Sequence, residues 1–136
     1  MTLEIYAGPG SLRAVVSGEF SMDEAKSTFL ELLDVVAQHR AGKVLIDGRE
    51  LKGEPKTIER FLYGSFAAHA VTTHPKRAPR ASQFAYILRE PVFDPQRFGE
   101  TVAVNRGMWV RSFDNPDDAL EWLGWGAADP APAGQT

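Results

Sequence analysis

The sequence contains no cysteine. That absence excludes disulfide staples and thiolate metal sites, and it fits a reducing compartment. No apolar run approaches the roughly 20 residues that a membrane-spanning helix needs, so no membrane span is expected. The opening residues Met1-Thr2-Leu3-Glu4 lack the basic stretch followed by an apolar one that marks a secretory signal. Positive charge is in short supply: 15 Lys and Arg stand against 18 Asp and Glu, for a net charge of −3. General attraction to nucleic acid or to anionic lipid is therefore not expected. These absences point to a cytoplasmic setting.

Catalytic and cofactor motifs are also missing. The three histidines are His39, His69 and His74. A zinc pair on one helix face needs i, i+4 spacing, whereas His69 and His74 stand five apart beside Pro75. There is no Gly-x-Ser-x-Gly elbow for a nucleophilic serine. Gly48 and Gly53 bracket four residues between an expected strand and an expected helix, where a phosphate-binding loop would lie. Such a loop needs lysine and then a hydroxyl after its second glycine, and Glu54-Pro55 stands there instead. Glutamate repels phosphate, and proline removes a backbone donor. No cofactor, metal site or enzyme activity is expected.

What is present is the pattern of one α/β domain. A chain of 136 residues buries about two-thirds of its unfolded surface, enough for one core. Leu3–Ala7 and Leu12–Ser17 are short apolar runs, and Gly8-Pro9-Gly10-Ser11 between them reads as a hairpin turn. Ser21 and Glu24 form a capping-box pattern ahead of Ala25, Phe29, Leu32, Leu33 and Val36 at helical spacing, with Gly42 as a left-handed cap. Lys43–Asp47 is a continuous apolar run, as in a strand covered on both faces. A charged, glycine-bearing loop from Gly48 to Lys56 follows. Thr57 caps a second expected helix, which carries Ile58, Phe61, Leu62, Ser65 and His69 on one face. Ser82–Leu88 reads as a strand. Asp94-Pro95 opens a short helix with Phe98 and Val102 inward, and Met108–Phe113 is the last strand. Asn115-Pro116 starts a terminal helix. The order is ββαβαβαβα, which implies a mixed, largely parallel sheet with packed helices. The domain is expected to span residues 1–125. Residues 126–136, small and proline-rich, are expected as a disordered C-terminal tail.

Four segments in this order carry a resemblance: Val15-Val16-Ser17-Gly18-Glu19-Phe20-Ser21, Lys43 through Leu51, Asn105-Arg106-Gly107, and Phe113 through Leu123. Together they resemble the SpoIIAA-like proteins of the STAS superfamily, also described as STAS/SEC14-like. The resemblance implies a small cytoplasmic domain that binds or regulates rather than catalyses. Anti-sigma-factor antagonists of that superfamily carry a phosphorylatable serine or threonine just after the central strand. Here that place reads Asp47-Gly48-Arg49-Glu50-Leu51, without a hydroxyl, so the phosphorylation switch is not carried over.

Candidate binding residues follow from position. Asp47 and Arg49 lie at the carboxyl end of the expected central strand, where ligands of open α/β sheets gather. They form either a binding rim or a turn in which Asp47 accepts loop amides and Arg49 pairs with Asp47 or Glu50. Thr57 is the nearest hydroxyl to the missing phosphosite. Arg106 either bridges to a carboxylate of the fold or faces a ligand. The segment His74–Arg80 concentrates positive charge, as a solvated loop or as a contact for an acidic partner. The expected function is a non-enzymatic binding or regulatory domain acting through an unknown protein partner or homodimer. The alternative is a carrier or sensor of a small apolar, lipid-like ligand, with Phe61, Leu62, Phe66, Phe93, Phe98 and Met108 around it. An enzyme using Asp47, Arg49, Arg106 or His69 would require those groups to converge in one cleft.

Overall fold

The computed structural model describes residues 1–76 and 78–131. Five strands and four α-helices follow the expected order: β1 Thr2–Gly8, β2 Ser11–Glu19, α1 Met22–His39, β3 Lys43–Lys52, α2 Thr57–Thr73, β4 Gln83–Ile87, α3 Phe98–Asn105, β5 Val110–Phe113 and α4 Pro116–Leu123. A 3-10 turn, Ala78–Ala81, leads into β4.

The strands lie side by side in chain order, β1-β2-β3-β4-β5. Only β1 runs antiparallel to its neighbour, because Pro9-Gly10 returns the chain at once; Gly10 takes φ +76°, which glycine adopts without steric cost. Every later crossover carries a helix and yields a parallel pair. β3 sits in the middle, with Val44, Leu45 and Ile46 all buried, as a strand covered on both faces must be.

The helices divide between the two faces. On one, α1, α2 and α3 bury Phe29, Leu33, Ala68 and Ala103 against Leu12, Val44, Ile46 and Phe84. On the other, α4 lays Ala119 and Leu123 over Leu45, Ala85, Ile87 and Phe113, with Trp122 and Trp125 packed beside them. Asn115 caps α4 by accepting from the Asp117 amide at 2.8 Å, with Pro116 in its first turn.

Several local details depart from the sequence reading. Ser21 does accept from the Glu24 amide, at 3.5 Å, but the Glu24 carboxylate is turned to the Met1 amino group at 2.6 Å rather than back to the cap. Arg40, not Gly42, takes the left-handed position that ends α1 (φ +49°), since the helix stops at His39 and the Gly42 amide is committed to Gly10 O. β3 runs on through Gly48–Lys52, in place of the expected loop. Past a bulge, Glu50, Leu51 and Lys52 pair with Ser17, Gly18 and Glu19 of β2. Lys56, not Thr57, is the N-cap of α2, and its amide donates to the Glu59 carboxylate at 2.8 Å.

Of the face of α2 named from the sequence, Ile58, Leu62 and His69 point outward, and Phe61 and Ser65 are half-buried. Its buried residues are Gly64, Ala67, Ala68 and Val71. Small side chains let α2 close on α3, so that a Cβ at Gly64 would collide with the Gly99 carbonyl. Ile58 and Leu62 consequently face water, 58% and 43% exposed, and Phe98 of α3 is exposed rather than inward.

The segment after α4 makes defined contacts as far as Pro130. The Asp129 carboxylate accepts from Ser11 Oγ at 2.6 Å and from the Gly126 amide at 2.6 Å, and Lys43 Nζ lies 3.4 Å away. Trp125 Nε1 donates to Pro130 O at 2.9 Å. The rest of the expected tail, from residue 132, lies outside the described residues.

Candidate functional site

Asp47 lies in register with Ile87, so its side chain belongs to the α4 face of the sheet. It is 5% exposed. A buried carboxylate must be hydrogen-bonded, and Arg49 two residues on supplies the bonds: Nε to Oδ1 at 2.9 Å, Nη2 to Oδ2 at 2.7 Å, and the Arg49 amide to Oδ1 at 3.2 Å. Burial pushes the Asp47 carboxyl up. The Arg49 side-chain and amide bonds and its charge, with the charge of Arg13 added, together outweigh burial and hold it below the ordinary carboxylate range. The bond to Asp47 in turn raises Arg49. The two groups neutralise each other in a fork geometry that leaves neither poised to exchange a proton. Arg13 lies over the Tyr6 ring at 4.1 Å, and its buried Nε has no partner among the described residues.

Thr57 and Arg106 belong to the opposite side of the sheet, on α2 and at the end of α3. Thr57 lines a surface cleft with Arg60, Asp94, Gln96, Phe98 and Thr101. The Arg106 guanidinium sits 5.6 Å from the Phe61 ring centre, and Phe61 stacks on Phe98 at 6.4 Å. The structure thus joins Asp47 to Arg49 and sets Thr57 and Arg106 about another surface, an apolar face built from Ile58, Phe61, Leu62 and Phe98. Of seven large apolar residues that are exposed among the described residues, Ile58, Leu62, Phe98 and Val104 lie on these two adjoining helices. That concentration distinguishes the face from singly scattered surface residues, which need no explanation.

Beneath that face, between α1, α2, α3 and the sheet, lies a cavity of about 170 Å³, open to the surface on one side and lined by Phe29, Leu32, Ile46, Ala67, Met108 and Val110 among others. Two phenols enter it from opposite walls, Tyr63 from α2 and Tyr86 from β4, with their hydroxyls 2.8 Å apart. Desolvation pushes Tyr63 up to about 12, against a smaller lowering by the bond to Tyr86. It raises Tyr86 well above 10, with Tyr63 adding to the effect. Both are neutral phenols at any ordinary pH. Among the charged residues of the cavity lining, Glu59 accepts from the Lys56 amide and Asp94 from the amides of Gln96 and Phe98. Arg60 donates to Val92 O at 2.8 Å and Pro91 O at 2.7 Å. Arg97 pairs with Glu100 at 3.1 Å and donates to Ser112 O. Glu100 also accepts from the Ser112 amide at 2.6 Å.

Two features escaped the sequence reading. The bulky stripe of α2 was visible, but the small-residue stripe Gly64, Ala67, Ala68 and Val71 on the reverse, with Gly99 to match, was the signal for which side turns inward. The Tyr63–Tyr86 pair joins residues 23 apart in the chain, and no local pattern announces it. Among the described residues, no group of three or more His, Asp or Glu is placed to hold a metal ion, and no helix is long and apolar enough to cross a membrane.

A mixed sheet antiparallel only at its first strand, with three helices on one face and a terminal helix on the other, is a STAS-like fold of the SpoIIAA type. A crystal structure of an anti-sigma factor antagonist from Mycobacterium paratuberculosis superposes with a TM-score of 0.59 at 19% identity, over 90% of this chain and 93% of that one. At that identity the likeness is one of fold. No protein-family model matches the sequence, and no curated protein matches it.

Proposed function

We propose that this chain is a non-enzymatic binding or regulatory domain that docks a partner protein, or a second copy of itself, through the outward face of α2 and α3. The observation that carries this reading is the orientation of α2: Ile58 and Leu62 of its bulky apolar stripe lie in water while its small residues are buried. A helix loses stabilisation by exposing Ile58 and Leu62 unless something covers them. Thr57 and Arg106 flank the stripe and supply polar and cationic contacts at its edge, which suits a partner surface of apolar side chains bordered by carboxylates. Asp47 and Arg49 then have a separate task, holding β3 together at its bulge. A solved neighbour of the same fold is named an anti-sigma factor antagonist; that supports a protein partner here.

The test is an Ile58→Glu/Leu62→Glu double substitution. Both positions are exposed, so the melting temperature should stay near that of the unsubstituted protein. Light scattering coupled to size exclusion reports self-association, and quantitative mass spectrometry compares the proteins that the two forms capture from the native lysate. A dimer, or a specifically enriched protein, that is lost on double substitution supports the reading. A monomer whose captured proteins are the same with and without the two glutamates overturns it.

A further inference from the structure

The geometry points to a second site: the cavity bounded by Tyr63 and Tyr86 binds a small neutral molecule with a compact hydrocarbon body and a single hydrogen-bond acceptor, such as a cyclic or aryl alcohol or ketone.

Three observations converge on that chemistry. First, natural cores rarely leave voids much larger than a water molecule, and here the packing leaves an apolar recess of about 170 Å³, open to the surface on one side. An apolar cavity of roughly 150 Å³ stays dry and takes up benzene. The size therefore suits a single ring with a short substituent, and it is too small to enclose a long-chain lipid. Second, the polar pole is specific. In a pair of hydroxyls 2.8 Å apart, one donates and the other accepts. The accepting hydroxyl still has its own O–H to give, and among the described residues neither phenol has another partner. Both tyrosines are only partly buried, so that O–H is open to the recess and can donate to a molecule held there. Third, the charged side chains at the lining are held in place and include both signs: Arg97 pairs with Glu100, Arg60 donates to backbone carbonyls, and Glu59 and Asp94 accept backbone amides. Both phenols at the polar pole are neutral, which favours a neutral acceptor beside them.

This inference is independent of the docking face. It concerns the inner side of α2, and it stands whether or not Ile58 and Leu62 bind a protein.

The test uses two probes of matched shape, benzyl alcohol and toluene, with the full chain. Carbon–proton methyl spectra follow Leu32, Ile46 and Met108 during titration. Saturable shifts at these methyls with both probes are expected, with benzyl alcohol binding about five-fold tighter through the free hydroxyl. A Tyr63→Phe/Tyr86→Phe variant should erase that preference while retaining toluene binding. Ala67→Leu, which fills the void from α2, should abolish binding of both. Should Ala67→Leu fail to fold, the two probes on the parent and on the double phenylalanine variant decide. No saturable shift up to the solubility limit of either probe overturns the inference. So does binding unchanged in a folded Ala67→Leu, or a preference for benzyl alcohol that survives loss of both hydroxyls.

Discussion

Replacing Gly64 with alanine sets two opposed effects against each other. Alanine favours an interior helical position over glycine by about 1 kcal/mol, so in isolation the substitution would strengthen α2. Packing works the other way. The added Cβ would collide with the Gly99 carbonyl oxygen and stand 3.2 Å from its carbon and 3.4 Å from its Cα. These are backbone atoms and cannot swing aside. Restoring ordinary contact, roughly 3.5 Å between heavy atoms, requires α2 and α3 to part by about an ångström. Overpacking costs about 1–3 kcal/mol; a collision with rigid backbone belongs in the upper part of that range, about 2–3 kcal/mol, and the parting also loosens the Phe61–Phe98 stack. The expected net result is a loss of about 1–2 kcal/mol, or about 4–7 °C in melting temperature for a domain of this size. Urea unfolding measures it, with an unchanged slope showing that the transition still exposes the same surface. Gly99→Ala should cost less, because its Cβ would meet Arg60 O at 3.0 Å. The double variant should cost less than the sum, because helices already parted have room for the second methyl. A Gly64→Ala protein as stable as the parent would refute the reasoning, for propensity would then outweigh contact and the helices would not be as close as described.

Arg49→Ala should destabilise the domain by about 2–3 kcal/mol, because Asp47 stays buried with its fork removed; the guanidinium keeps 21% of its side-chain surface exposed, so the full penalty of a deeply buried pair is not expected. The Asp47 carboxyl is held below its unfolded value, so its contribution is present above the ordinary carboxylate range and is lost as pH falls through the lower folded value. Chemical denaturation from pH 7 to 2 should therefore show a shallower acid loss in Asp47→Asn than in the parent, and parallel curves would contradict the assignment. Of the three tyrosines, Tyr6 is raised by its hydrogen bond to Glu4 and by that residue's charge, yet it is surface-accessible. Ultraviolet titration should show one phenol ionising somewhat above pH 10 and vanishing in Tyr6→Phe, with the other two silent until the fold is lost. Because Tyr63 and Tyr86 are raised in the folded state, stability should fall as pH climbs from about 10 towards 12. Two or more phenols titrating near 10 in the folded protein would refute the Tyr63–Tyr86 pairing.

The order of elements was legible because local signals agreed with the tertiary outcome. Asn115-Pro116 starts α4 as a capping asparagine and first-turn proline should, and the apolar Lys43–Asp47 run is the covered central strand. The sequence failed where a partner segment decided the result. Gly48 to Lys52 reads as loop from its charge and glycine, yet β2 extends past the bulge and draws Glu50–Lys52 into the sheet. Glu24 fits a capping box, yet the Met1 amino group offers it a charged partner. The expected site residues show the same division. The local pairing of Asp47 with Arg49 was one of the two arrangements open to the sequence. Thr57 and Arg106 were legible as positions, but the apolar face between them depended on which side of α2 faces the sheet, and helical periodicity does not choose a side.

The carboxylate of Asp129 fastens the end of the described chain to Ser11 and Lys43, the first residues of β2 and β3. Ile58, Leu62 and Phe98 follow the last residues of β3 and β4, at the far ends of those parallel strands. A tether joined after residue 131 therefore leaves from the amino pole. Anchored to a sensor chip by that end, the molecule would present α2 and α3 to the solution, an orientation that topology provides without engineering.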